Sequence, residues 1–91
     1  MDNNYTEDKH FESFNHKMKN YFIGKNIADK RRERNLRADE VAKFLSISTQ
    51  DLLLYESGEK EVDYMVLINL SKFFDVSIDS FFSYIENFVT N

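Results

Sequence analysis

The chain has no cysteine, no proline and only two glycines in its 91 residues. Without thiols it can form neither disulfides nor thiolate metal sites, a composition suited to a reducing cytoplasm. With no proline and so little glycine, few positions interrupt a helix and none marks a hairpin, so an all-α fold is expected. There is no run of about 18 apolar residues to span a bilayer, and the N-terminus lacks the basic-then-apolar order of a secretory signal. Histidine is scarce too: His10 and His16 do not share a helical face, and they read as surface residues rather than metal ligands. No glycine-rich phosphate loop, nucleophile motif or metal-ligand spacing occurs, so neither an enzyme nor a cofactor, metal or small-molecule ligand is expected.

What is present is one small domain's worth of chain, with a core modest enough that a dimer interface would add useful burial. The net charge of −4 argues against a polyanionic partner, but its distribution argues the other way. Residues 24–37 hold Lys25, Lys30, Arg31, Arg32, Arg34 and Arg37 against Asp29 and Glu33, a local balance of +4. Residues 38–91 hold three lysines against ten acids, a balance of −7. Half the basic side chains thus fall in one short stretch, which is either the solvated face of a helix or a footprint that meets phosphate.

The stretch Val41–Gly58, VAKFLSISTQDLLLYESG, organises the chain. Val41, Ala42 and Leu45 give one apolar face at helical period, and Ala42 is small enough for close approach of another helix. Ser46-Ile47-Ser48 interrupts that helix. Ser48 is a suitable N-cap for the next one, with Asp51 at the reciprocal position and near the positive end of the helix dipole. Leu52 and Tyr55 share the inner face of this second helix, and Gly58 supplies the left-handed residue that ends it. Two short helices joined so tightly need further helices around them to bury their inner faces.

From Ile23 to Phe82 the chain resembles the phage-repressor-like helix-turn-helix regulators, also called the Xre or Cro/C1 type. The resemblance rests on Ile23-Gly24-Lys25, Ile27 and Arg31, then Leu36 and Val41-Ala42, then Tyr55-Glu56-Ser57-Gly58. Leu67, Leu70, Phe74, Val76, Phe81 and Phe82 follow at the family's spacing. It implies a five-helix, lambda-repressor-like DNA-binding domain with no catalytic residue. It also implies an ion pair between Arg31 and Glu56 that ties the first helix to the third. Mapped residue by residue, base edges would be read by Thr49, Gln50, Leu53 and Leu54, with Gln50 suited to adenine and the leucines to thymine methyls. Lys25, Arg32, Arg34, Arg37 and Lys60 are the expected phosphate contacts of double-stranded DNA.

The chain departs from the family pattern in several places. Lys30 stands where relatives usually carry an apolar residue. Arg37-Ala38 replaces the hydroxyl cap and glutamine that open the second helix, with Asp39 and Glu40 in its first turn as partial compensation. Glu59 occupies a place where a base is common, and no lysine or arginine lies from Thr49 to Ser57. The exposed leucine pair therefore has two readings. It reads an A·T-rich operator, or it marks a protein interface of an antitoxin-like or anti-repressor module.

Outside the resemblance, residues 1–20 form a polar extension in which Phe11, Phe14 and Met18 predict an additional helix from about Asp8 to Lys19. The domain proper is read as 21–83, with its first helix from about Phe22 to Arg34. After Ser77 as a cap, an extended C-terminal helix carries Ile78, Phe81, Phe82, Tyr84, Ile85, Phe88 and Val89. Residues 84–91 are read as its end, and Tyr84, Ile85, Phe88 and Val89 as a homodimer interface. A twofold dimer would set two reading helices about 34 Å apart, one turn of duplex.

Overall fold

A computed structural model of the chain describes the backbone of residues 2–83 and the side chains of residues 15–83. Four α-helices follow one another: α1 (Asp2–Glu33), α2 (Ala38–Leu45), α3 (Thr49–Ser57) and α4 (Tyr64–Phe74). A 3-10 turn over Ile78–Phe82 comes next, and there is no strand among the described residues.

The separate N-terminal helix is corrected. α1 runs without a break through residues 20–22, where two helices were expected to meet. At about 3.6 residues per turn, the positions of Phe11, Phe14 and Met18 fall on one side of such a helix, and those of Ile23 and Ile27 fall nearly opposite. The apolar pattern changes face, which reads as two helices in sequence, yet neither glycine nor proline is there to end the first. α1 stops where Asn35 takes the left-handed conformation, φ 57°, and the Leu36 N–H donates to the Arg31 carbonyl at 3.1 Å. Asparagine is among the few non-glycine residues that accept this geometry readily.

The other helices are bounded by similar local chemistry. Ser46 and Asp75 turn left-handed at the ends of α2 and α4, and Gly58 does so after α3. Asp63 opens α4 by accepting the Val66 N–H at 3.0 Å. At the start of α2, Arg37 has no side-chain acceptor to offer, but the Glu40 carboxylate accepts the Arg37 backbone N–H at 2.7 Å. That is one half of a capping box.

The core gathers Ile23 and Ile27 of α1, Val41 and Ala42 of α2, and Leu52 and Tyr55 of α3. Leu67, Leu70 and Phe74 of α4 join them, with Val62 from the segment before α4 and Phe81 from the 3-10 turn. Each large apolar side chain so buried contributes roughly 1.5–3 kcal/mol of transfer free energy. α1 and α3 cross almost backbone to backbone. A Cβ on Gly24 would sit 2.2 Å from the Tyr55 carbonyl oxygen, so only glycine fits there.

The C-terminal segment differs from the expected fifth helix. As far as Phe82 it is a 3-10 turn, and Ser77 does not cap it through its hydroxyl. Instead, the Ser77 carbonyl accepts from the Ser80 hydroxyl at 2.6 Å. Side chains of α1 fix the turn. Buried Asn26 donates from Nδ2 to the Phe22 carbonyl at 3.1 Å and the Phe81 carbonyl at 2.9 Å, and its Oδ1 accepts from the Ser83 hydroxyl at 3.2 Å. Lys30 reaches the Ser80 carbonyl at 3.3 Å while its ammonium lies 5.0 Å from the Phe81 ring centroid. The expected extension of this segment, with Tyr84, Ile85, Phe88 and Val89, lies outside the described residues. No helix among the described residues is long and apolar enough to cross a membrane.

Candidate nucleic-acid interface

The orientation of α3 follows from its two ends and its buried face. Ser48 Oγ accepts the Asp51 N–H at 3.0 Å, which satisfies one orphan donor of the first turn. Leu52 and Tyr55 point into the core, so Thr49, Gln50 and Leu53 are turned outward. Leu53 is 48 % exposed, whereas Leu54 is half-buried, so the two leucines are not presented equally. The Asp51 carboxylate lies 3.4 Å from Lys60 Nζ, whose ammonium is also 5.4 Å from the Tyr55 ring centroid.

Opposite the outer edge of α3, α1 presents Tyr21, Lys25, Ala28 and Arg32 in one row. These residues with Leu53, Glu56 and Ser57 line a groove of about 380 Å³. Lys25 lies 3.8 Å from Asp29, one turn along its own helix, and Arg32 is exposed.

The remaining basic residues of 24–37 are largely taken up by the fold. Arg31 forks onto Glu56, with Nε to Oε2 at 2.7 Å and Nη2 to Oε1 at 3.0 Å, and Nη1 donates to the Leu36 carbonyl at 2.9 Å. The hydrogen bond to Glu56 holds the guanidinium above its ordinary pKa in spite of burial. Arg34 donates to the Phe74 carbonyl at 2.9 Å and the Lys30 carbonyl at 2.8 Å. Its guanidinium also lies 5.0 Å from the Phe74 ring centroid. Because Phe74 is the last residue of α4, Arg34 satisfies a terminal carbonyl there and meets the negative end of the helix dipole. Arg37 Nε lies 3.0 Å from Asp39, with both side chains well exposed. Burial lowers the pKa of Lys30 below its ordinary value. The cationic face is therefore narrower than the charge count of this stretch implies: Lys30, Arg31 and Arg34 are engaged by the fold, and Lys25, Arg32 and Arg37 stand on the surface.

Sequence reasoning missed the roles of Asn26, Lys30 and Arg34 in holding the C-terminal segments, and the pairing of Asp51 with Lys60. Each joins residues nine or more positions apart, and only the unexplained lysine on an otherwise apolar face gave a signal.

The helix-turn-helix family model matches residues 27–81. The uncharacterized HTH-type transcriptional regulator YqaE of Bacillus subtilis (strain 168) is 36% identical over 57 residues, which make up 63% of this chain and 49% of that protein. A transcriptional regulator from Listeria innocua, known from a crystal structure, superposes with a TM-score of 0.62 at 30% identity. The match covers 65% of this chain and 55% of that one. The chain thus spans about half the length of these relatives. By the match over most of its described length and by the residues that carry it, the chain belongs to the helix-turn-helix family of the Xre, or Cro/C1, type.

Proposed function

We propose that this protein is a sequence-specific DNA-binding transcriptional regulator that occupies a near-palindromic operator as a homodimer. The observation that carries the proposal is the outward first turn of α3, fixed by the Ser48 cap and backed by the core, with Lys25 and Arg32 across the adjacent groove. In this reading Gln50 forms paired hydrogen bonds to an adenine edge and Thr49 meets a neighbouring base. Leu53 and Leu54 contribute apolar contact, with the half-buried Leu54 offering less of it. Arg32 holds phosphate, joined by Lys25, Arg37 and Lys60 once these exchange their carboxylate partners for the duplex. Arg34 contributes charge from a fixed position. Tyr84, Ile85, Phe88 and Val89 pair two subunits, so that two weak half-sites bind together.

A second reading has an observation of its own: Leu53 and Tyr21 are both about half exposed beside the same groove, and the reading helix carries no cation. In it the fold is kept and this surface meets a protein, as in an antitoxin-like or anti-repressor module. Selection from a random duplex pool followed by sequencing of the retained DNA separates the two. The regulator reading expects one enriched motif with twofold symmetry and affinity that falls steeply with salt. A pool that stays random, with no salt-dependent retention, refutes it.

A further inference from the structure

We propose that Asp51 is a specificity-determining residue, and that its ion pair with Lys60 acts as a latch against DNA of the wrong sequence. The inference rests on the regulator reading and adds a residue and a mechanism to it.

Three features of the site lead there. Asp51 sits in the first turn of α3, immediately after Thr49 and Gln50, with its side chain 40% exposed. It does not complete the capping box that its position allows. Ser48 Oγ accepts the Asp51 N–H, but among the described residues the Asp51 carboxylate is held by Lys60 Nζ at 3.4 Å. Lys60 is the only cation between Thr49 and Asp63, where it stands among Asp51, Glu56, Glu59, Glu61 and Asp63. Of these acids, Glu56 is bound to Arg31 and Glu59 accepts from the Ser57 hydroxyl at 2.7 Å.

A carboxylate on this edge has one kind of favourable partner in the major groove, the exocyclic amine of cytosine; adenine's N6 amine is flanked by the N7 acceptor that a carboxylate cannot match. On a site with cytosine beneath the first turn, Asp51 turns to that amine and Lys60 is released to a backbone phosphate. On any other sequence, freeing Lys60 leaves an unpaired carboxylate near the phosphates, so the pair stays closed and Lys60 adds nothing to binding. One acidic side chain thereby penalises every wrong duplex while leaving the right one unpenalised, which is discrimination by repulsion rather than by added contact. It also gives a physical role to a reading helix that is otherwise unfavourably charged for its ligand.

The test compares wild type, Asp51→Asn, Lys60→Ala and the double variant. Each binds a random duplex and the duplex enriched from the pool, over a series of salt concentrations. Asparagine keeps the size of the side chain and removes the charge, so Lys60 is free on all sequences. Asp51→Asn is expected to bind random duplex about tenfold more tightly at low salt. The slope of log affinity against log salt should steepen by about 0.9, the increment for one additional phosphate contact. Its preference for the enriched site over random duplex should fall by a similar factor. Lys60→Ala should leave the random-duplex slope of the wild type unchanged but lower that of Asp51→Asn by the same 0.9. Unchanged random-duplex affinity and slope in Asp51→Asn, with DNA binding intact, overturns the latch alone. The latch is also overturned if Lys60→Ala lowers the slope equally in both backgrounds. Loss of binding to every duplex by the wild type itself overturns the regulator reading and the latch with it. Thermal melting of each variant guards against misfolding, and an Asp51→Asn variant that melts normally yet binds random duplex as the wild type does counts against the proposal.

Discussion

Replacing Glu56 by alanine probes the joint between α1 and α3. The side chains of Arg31 and Glu56 are 11% and 6% exposed, and two charge-assisted hydrogen bonds of 2.7 and 3.0 Å join them. Glu56→Ala removes both and leaves a guanidinium in the interior with, among the described residues, only the Leu36 carbonyl as partner. Breaking a buried pair from one side costs about 3–5 kcal/mol. The retained carbonyl contact and residual exposure place this case near about 3 kcal/mol, against a total stability of roughly 5–14 kcal/mol for a chain of this length. A loss of that size lowers the melting temperature by roughly 12–24 °C in a small domain. The assay is thermal and urea unfolding followed by far-ultraviolet circular dichroism. Replacing both partners, Arg31→Met with Glu56→Leu, should restore most of the loss, because an apolar pair avoids the desolvation of both charges. A Glu56→Ala melt within about 3 °C of the wild type, or a double variant less stable than the single one, refutes the reasoning.

Further perturbations address the neighbouring contacts. Gly24→Ala should destabilise by about 2 kcal/mol or more, since its Cβ would meet the Tyr55 carbonyl at 2.2 Å and backbone must move; a neutral melt would contradict the close crossing. Asn26→Leu removes the clamp on the Phe81 carbonyl and should cost about 1–3 kcal/mol, with faster hydrogen exchange in residues 78–82; unaltered exchange there would count against the clamp. Lys30 is lowered from its ordinary value of 10.5 by burial, so between its folded and unfolded pKa the unfolded chain binds more protons. Stability carried by this group therefore rises with pH through that window, and the penalty is fully present below it. Lys30→Met should lack this rise in urea titrations that approach the ordinary lysine range, and an identical pH profile in both proteins would exclude the burial effect.

How much of this was legible in the sequence depends on the range of each interaction. Ser48 and Gly58 mark the ends of α3 through bonds to residues a few positions away, so residue type alone pointed to them. The apolar face of α3 was legible for the same reason, since helical period fixes which side of a short segment turns inward, whereas that of α4 came with the family's spacing. Continuity of α1 was not, because two apolar faces on one helix resemble two helices when only the pattern is read. Arg34 on the Phe74 carbonyl and Asn26 on the Phe81 carbonyl join residues forty and fifty-five positions apart, and no local signal separates them from ordinary surface residues. The Arg31 and Glu56 pairing came from family resemblance rather than from spacing. The same resemblance offered Lys60 as a phosphate contact, and its tie to Asp51 emerges only with the coordinates.

The measurement that bears most directly on the central claim is the affinity of wild type and Gln50→Ala for the enriched duplex and for a random duplex at one salt concentration. The account expects Gln50→Ala to lose about 1–3 kcal/mol on the enriched site, the worth of one paired base contact, and nothing on random sequence. Equal loss on both duplexes, or no loss on either, would contradict a reading edge at the start of α3.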